Sequence, residues 1–498
     1  MTDAKVELVD TTLRDGAQSL WASAMRSDII AEVGPLLDEA GFLAVEVPMS
    51  PTFFKKFVRD LREDPWEMAR VIARTMPHAV KATMAGDTMD HFGPLPPREI
   101  IQRFYGRLAE IGALNRVQLI CNTTDQIRTS FPWLIPFFRS VGLKVVVALA
   151  YTLSPRHDDR YYADKARSVL PFQPDAIYLK DPGGLLTPER IRTLYPAVKN
   201  AAAGVPVEVH THCTAGMGDA VYVEALKAGA DTVHTGIPPL ANGSAQPSVF
   251  ALLHNLEYLG RRAAVDLERV EAVARRLSAI AQREGWPQGT VHPYDYGQYV
   301  HQVPGGVISN LRHQLAELGL QARIPEVLEE AVRVRAELGY PIMITPYSQF
   351  VVTQAAINVA VGTRWKVVID ACIRFALGLY GEDSGYTFMD PSVRDKILAL
   401  PRARELQAEP QRATEPPSVD QLRAQLGGPD LSDEEFLLRY LMKGDKEIQA
   451  MRAAQTAPMI RPGPLVRLVE TFSAGSGIGY LRLEQKGDRL VLARLWQP

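Results

Sequence analysis

Three short runs of this 498-residue chain hold side chains that could do chemistry together: Asp10-Thr11-Thr12-Leu13-Arg14-Asp15, Lys180-Asp181-Pro182-Gly183-Gly184 and His210-Thr211-His212. Side chains alternate faces along a β-strand, so His210 and His212 point the same way. Two imidazoles on one face, joined by a carboxylate, supply most of the shell of a divalent cation. Asp10, at the end of the first apolar run, is the carboxylate expected to complete it. Lys180 closes another apolar run; buried there, its amine would lose charge by desolvation. A neutral amine can add carbon dioxide to form a carbamate, which is an anionic oxygen ligand. Arg14 is a planar, bidentate match for a substrate carboxylate. Plainer readings exist for each group: an idle histidine pair on a half-exposed strand, a Lys–Asp surface pair at a turn, and an ion pair around Arg14.

These residues need a scaffold that brings them together. Apolar runs at 6–11, 42–47, 79–84, 116–121, 144–151, 176–179, 207–212 and 232–236 alternate with amphipathic or Ala-rich stretches such as 27–40 and 218–228. Eight strands at roughly 30-residue spacing are the count and period of a (β/α)8 TIM barrel. A doubly wound sheet is the alternative, since strand order is not visible in sequence. Asp10, Lys180, His210 and His212 all fall at C-terminal strand ends, where barrel active sites are built, and this favours the barrel. The small residues after His212 (Cys213-Thr214-Ala215-Gly216) suit a backbone that approaches a ligand closely. Cys213 has the parity of a packing residue rather than a nucleophile.

The pattern predicts a barrel domain over 1–287, with a helix at 267–284. Helical patterns at 310–318, 324–338, 349–361 and 365–379 predict a mainly helical domain over 288–400. The Pro/Glu/Arg-rich stretch 401–430 reads as a linker. A small α+β tail over 431–498 follows, in which Ser432-Asp433-Glu434-Glu435 opens a helix in capping-box spacing. Within it, 479–485 and 489–495 alternate around Lys486-Gly487-Asp488 as a hairpin.

Composition excludes several classes. A formal net charge of −2 leaves no nucleic-acid footprint. The longest apolar runs, such as 145–150, are strand-length and too short to span a bilayer. The charged start (Asp3, Lys5, Glu7) lacks the apolar region of a signal peptide, and three scattered cysteines make no disulfide framework. A cytoplasmic location is expected.

Several motifs, in order, resemble one family. Residues 10–19 (Asp-Thr-Thr-Leu-Arg-Asp-Gly-Ala-Gln-Ser), 180–186 (Lys-Asp-Pro-Gly-Gly-Leu-Leu) and 210–216 (His-Thr-His-Cys-Thr-Ala-Gly) are similar to the carboxyltransferase domain of pyruvate carboxylase. The oxaloacetate decarboxylase α subunit and the central transcarboxylase subunit share these patterns. So do Asp64-Pro65-Trp66-Glu67, Ser244-Ala245-Gln246-Pro247-Ser248 and His301-Gln302-Val303-Pro304-Gly305-Gly306. The barrel alone also fits the wider HMG-CoA-lyase-like superfamily. The resemblance implies a metal held by Asp10, Lys180 (carbamylated in some members), His210 and His212. It implies that Gln18 and Arg116 line the substrate pocket, that Thr345 shuttles a proton between biotin and pyruvate, and that Ser348 stands on the biotin side. It also implies a homodimer. The Met442-Lys443 pair lies in a helical pattern without flanking strands and is not read as a biotin-attachment site. Biotin is therefore expected on another chain, such as a biotin carboxyl carrier protein.

The pattern is not kept throughout. The family's Trp-Gly-Gly becomes Pro48-Met49-Ser50, its Leu-Leu-Arg-Gly becomes Thr83-Met84-Ala85-Gly86, and its Phe-Asp after Arg116 becomes Gln118-Leu119. Its Val-Asp-Thr-Ala becomes Val233-His234-Thr235-Gly236, and Ala17 replaces a histidine. The metal residues are retained while part of the substrate wall is rewritten. The expected activity is metal-dependent carboxyl transfer or decarboxylation of a 2-oxo acid, with Arg14, Lys180 and Thr345 in catalytic roles. Zn ranks first on the paired imidazoles, and Mn and Co fit the same N/O shell. Two rival readings are a biotin-independent lyase or aldolase on the same barrel and a non-catalytic scaffold subunit.

Overall fold

A computed structural model describes residues 5–89, 95–121, 123–304, 307, 308, 311, 315, 321–412, 417–456, 479–485 and 488–494. Eight parallel strands close a barrel: β1 (Lys5–Asp10), β2 (Ala44–Glu46), β3 (Lys81–Ala85), β4 (Arg116–Cys121), β5 (Lys144–Ala150), β6 (Ala176–Asp181), β7 (Val207–Thr211) and β8 (Thr232–Thr235). They run in sequence order, and β1 pairs with both β8 and β2 to close the ring. The short β9 (Arg262–Ala263) adds to the start of β1. Each strand lies within a few residues of its expected run, and the TIM barrel is the fold.

Alternation sorts the side chains. Val6 and Leu8 of β1, with Val45, Val117, Leu119, Val147, Leu179 and Val209, pack in the layer between barrel and helices. Val9, Ala44 and Ala82 meet inside the barrel, as do Val146, Ala148, Ala176 and Tyr178. Toward the C-terminal ends the inward positions turn polar: Glu46, Lys180, Glu208, His210 and His234 all share the parity of these inner residues. The helix Leu267–Glu284 coincides with its expected span.

The second domain has its own core, centred on the helices Ile324–Glu337 and Tyr347–Val361. The expected helix at 365–379 is shorter, Asp370–Ala376. Its start is held as a loop because the Trp365 indole donates to Glu337 and the Trp365 backbone N–H donates to Asn358. The expected helix at 310–318 lies largely outside the described residues. The stretch expected as a linker contains two helices, Pro401–Arg412 and Val419–Leu426. Ala403 and Leu406 of the first are buried in the helical core, and Arg402 pairs with Asp370, so apolar anchors override the linker-like composition. Ser432 caps the helix Asp433–Met442, whose Glu434 is held by Arg70 and Arg107 on the barrel. At the C-terminus β10 (Gly479–Gln485) and β11 (Asp488–Arg494) form an antiparallel pair with Gln485 opposite Asp488.

The helical domain grips the C-terminal rim of the barrel. Ala150, in register with Lys180, belongs to the helical core with Met343 and Tyr347. Buried Arg335 donates to the carbonyl of Leu153 and the hydroxyl of Thr152, just past β5. Gln298 donates to the carbonyl of Gly183 past β6.

Candidate active site

β1 ends at Asp10, and a tight helical turn over Thr12–Gly16 then folds back across the barrel mouth. This turn decides which carboxylate reaches the imidazoles. Asp15 Oδ2 lies 3.4 Å from His210 Nε2 and 3.6 Å from His212 Nε2. One ligand atom from each of Asp15, His210 and His212 lies within 4.8 Å of the others, and all three residues are buried. Lys180 Nζ stands 3.3 Å from the same carboxylate oxygen.

Asp10, the carboxylate expected from the sequence, is not in this group. It shares the outward parity of Val6 and Leu8, behind the barrel wall. Its Oδ1 accepts from Thr12 Oγ1 at 2.5 Å, and its Oδ2 has no partner among the described residues. Burial, opposed by the Thr12 hydrogen bonds, pushes its carboxyl up to about 7. The position expected of Asp10 is occupied by Asp15.

Electrostatics suit the cluster to a cation. Burial alone would raise the Asp15 carboxyl, but the charges of Arg14 and Lys180 outweigh it and hold Asp15 well below the usual range. Burial, reinforced by the Lys180 charge and opposed by Asp15, keeps His210 well below its usual value and hence neutral. His212 Nδ1 lies 2.6 Å from the carbonyl of Ser244. A carbonyl only accepts, so Nδ1 carries the hydrogen and the Nε2 lone pair faces Asp15. The side-chain amide of Gln246 lies 3.3 Å from His210 Nε2 and 3.0 Å from His212 Nε2. Burial lowers the Lys180 amine, against the opposing pull of Asp15. An ionised carboxylate and two imidazole nitrogens, with the Lys180 amine beside them, fit a divalent N/O site.

The loop after β6 supports the pair from behind. Asp181 accepts from the backbone N–H groups of Leu185 and Leu186 and from Thr211 Oγ1, which ties this loop to β7. Gly184 sits at φ +63°, and a Cβ there would stand 2.7 Å from the carbonyl of His212.

The two arginines are committed to protein carboxylates. Arg14 Nε and Nη2 donate to Glu46 at 2.8 and 2.5 Å, and Nη2 also reaches Asp15 at 2.9 Å. Its Nη1 makes one long contact, 3.5 Å, to Gln18. Arg116 Nη2 donates to Glu208 at 2.5 Å, inside the barrel. Gln18 is exposed and lines a cleft with Ser23, Thr52, Phe53, Lys56 and Arg59. Thr345 and Ser348 stand at the start of the helix Tyr347–Val361, on the domain that packs against Ala150. Thr345 Oγ1 accepts from Gln349 at 2.7 Å, and Ser348 Oγ donates to Gln349 Oε1 at 3.3 Å.

Glu46, Glu208, His234 and Gln246 also belong to the site, and the sequence reading gives none of them a role in it. The signal for the first three is a charged or imidazole side chain at inward parity within an otherwise apolar strand. Gln246 stands in one of the motifs that carry the family resemblance.

Comparison with known proteins agrees with this architecture. Residues 5–277 match the family described as HMGL-like, and residues 299–459 match one described as a conserved carboxylase domain. A pyruvate carboxylase subunit of Methanocaldococcus jannaschii is 33% identical over 387 residues, covering 76% of this chain and 66% of that protein. The 2-oxoglutarate carboxylase large subunit of Hydrogenobacter thermophilus is 27% identical over 480 residues, covering 95% of this chain and 72% of that one. The carboxyl transferase domain of Rhizobium etli pyruvate carboxylase, solved with pyruvate and biocytin, superposes with a TM-score of 0.79 at 22% identity. That match covers 98% of this chain and 84% of the other, and it establishes likeness of fold.

Proposed function

Because this chain belongs to the HMGL-like family and carries a conserved carboxylase domain behind its barrel, we propose that it is the carboxyltransferase subunit of a biotin-dependent system acting on a 2-oxo acid, with biotin carried by another chain. The observation that carries this reading is the convergence of Asp15, His210 and His212 at the barrel mouth, beside Lys180 and under the helical domain. The relatives named for pyruvate and for 2-oxoglutarate bracket the substrate class.

Asp15, His210 and His212 would hold the cation, with Lys180 joining them as its carbamate. Zn ranks first, and Mn and Co suit the same donors. When bound, the cation supplies Lewis acidity toward the oxo and carboxylate oxygens of the substrate. The rest falls to the chain's own residues. Arg14 has Nε and Nη2 fixed by Glu46 and Asp15, so Nη1 and the Gln18 amide are the donors left for a substrate carboxylate. Arg116 balances Glu208 and keeps the floor of the site charged but paired. Thr345 Oγ1 accepts from Gln349, which leaves its own O–H free to hold the proton that moves when the 2-oxo acid gains or loses a carboxyl group. Ser348 faces the biotin side in this reading. The helical domain, seated on Ala150, excludes water from the rim. A biotin carboxyl carrier partner, a homodimeric assembly and a cytoplasmic location belong to the same proposal. Among the described residues no helix is long and apolar enough to cross a membrane.

The test is decarboxylation of oxaloacetate and other 2-oxo diacids, with and without free biotin and with and without chelator. Chelator-sensitive turnover stimulated by biotin supports the proposal. Metal-dependent cleavage indifferent to biotin points instead to a lyase. No turnover, with unchanged assembly after His210→Ala and His212→Ala, points to a scaffold.

A further inference from the structure

The two imidazoles of the cluster are oriented by different means. His212 rests its Nδ1–H on a backbone carbonyl, a fixed acceptor. Among the described residues His210 has no such carbonyl. Its Nδ1 faces another imidazole: His234 Nδ1, 3.2 Å away, with the two rings at 82°. His234 is fully buried, and its Nε2 lies 2.9 Å from Glu208 Oε2. The same oxygen accepts from Arg116 Nη2 at 2.5 Å. The His234 ring stacks on Tyr178 at 5.0 Å and 18°, so its plane is set by packing. In the sequence pattern that this chain resembles, an aspartate stands where His234 is. Here the carboxylate lies one ring further away, as Glu208.

We propose that His234 is a positioning residue that fixes His210 in its cation-binding tautomer, through a directed chain Arg116–Glu208–His234–His210. Glu208 Oε2 accepts from the Arg116 guanidinium, which can only donate, and meets His234 Nε2 with the same oxygen. That oxygen is the acceptor, so a His234 ring with one hydrogen carries it on Nε2. The Nδ1 of His234 is then a lone pair, and the contact to His210 closes only if His210 Nδ1 carries the hydrogen. That leaves the His210 Nε2 lone pair to accept from the Gln246 amide in the metal-free protein and available to a cation, parallel in function to His212. Outer partners of this kind orient a ligand and raise its basicity.

The inference rests on the metal reading above, and the experiment separates the two. Zn or Co affinity of the metal-stripped protein is measured by competition with a chelator. His234→Phe keeps the stack on Tyr178 but removes the acceptor; it is expected to weaken binding about 10–100-fold. His234→Asn places an amide oxygen near the former Nδ1 and is expected to restore most of the affinity. In wild-type protein labelled with 15N-histidine, His210 is expected to carry its hydrogen on Nδ1 and His234 on Nε2, and this stands even if a variant fails to fold. Wild type that binds no divalent cation overturns the metal reading and the relay with it. Wild-type binding with unchanged affinity in His234→Phe, or a His210 found protonated on Nε2, overturns the relay alone.

Discussion

Replacing Asp10 and Asp15 separately by asparagine tests which carboxylate belongs to the site, because the two substitutions should act with opposite sign. The Asp10 carboxyl lies at about 7 in the fold against 3.8 for an ordinary aspartate. An acid whose folded pKa is raised favours the fold in its protonated form. Its contribution is fully present below 3.8 and is lost as the pH rises to about 7. A shift from 3.8 to about 7, at ~1.4 kcal/mol per pKa unit, makes that loss about 4 kcal/mol as an upper figure. Asparagine keeps an acceptor for Thr12 Oγ1 and cannot ionise. Asp10→Asn is therefore expected to raise stability by up to this amount at about pH 8, to change little near pH 4, and to leave metal binding intact. Asp15 runs the other way. Its depressed pKa stabilises the fold above the unfolded value, and that support is lost as the pH falls below 3.8. Removing it takes away the carboxylate that pairs with buried Arg14 and with the half-buried Lys180 amine, at ~3–5 kcal/mol in the metal-free protein. It also removes a donor, so metal affinity should fall further than the ~10–100-fold typical of outer partners. Urea titrations of the metal-free variants at both pH values, with equilibrium metal binding, read both effects. Metal retained in Asp15→Asn but lost in Asp10→Asn would refute the assignment. An Asp10→Asn variant destabilised equally at both pH values would refute the electrostatic argument.

Two further substitutions, one with a control, probe the surroundings of the site. Thr345→Val removes the proton-holding hydroxyl while leaving the cation donors untouched; biotin-stimulated turnover should fall ~10²–10⁴-fold with metal content unchanged, as steady-state kinetics and metal analysis would show. Gly184→Ala forces a side chain against the His212 carbonyl at a left-handed backbone position, so metal affinity and thermal stability should fall together, whereas Gly204→Ala, also at positive φ but with open space around it, should lower stability alone.

The barrel is legible in the sequence because its signals are local and periodic. Eight apolar runs, each followed by a helix, fix the strand count, and parity alone places His210 and His212 on one face. The expectation for Asp10 fails where such reasoning stops. Periodicity identifies the strand end but not the path beyond it. The turn Thr12–Gly16 carries Asp15 over the mouth, while strand parity turns Asp10 to the outer wall. The same limit hides His234 and Glu208, whose inward parity is readable but whose mutual approach depends on how adjacent strands are staggered. In the second domain, composition misleads over 401–412. Pro401 is tolerated at a helix start, and two buried apolar residues, Ala403 and Leu406, anchor a segment that is otherwise polar.

The proposed chemistry stands or falls on one divalent cation between Asp15, His210 and His212 in the working protein. Anomalous diffraction from crystals of the metal-loaded protein, collected at the absorption edge of the bound element, locates it without recourse to activity. A single strong peak is expected within bonding distance of one Asp15 oxygen and the Nε2 atoms of both histidines. A catalytically competent crystal with no peak there, or with its metal bound elsewhere, would overturn the proposal.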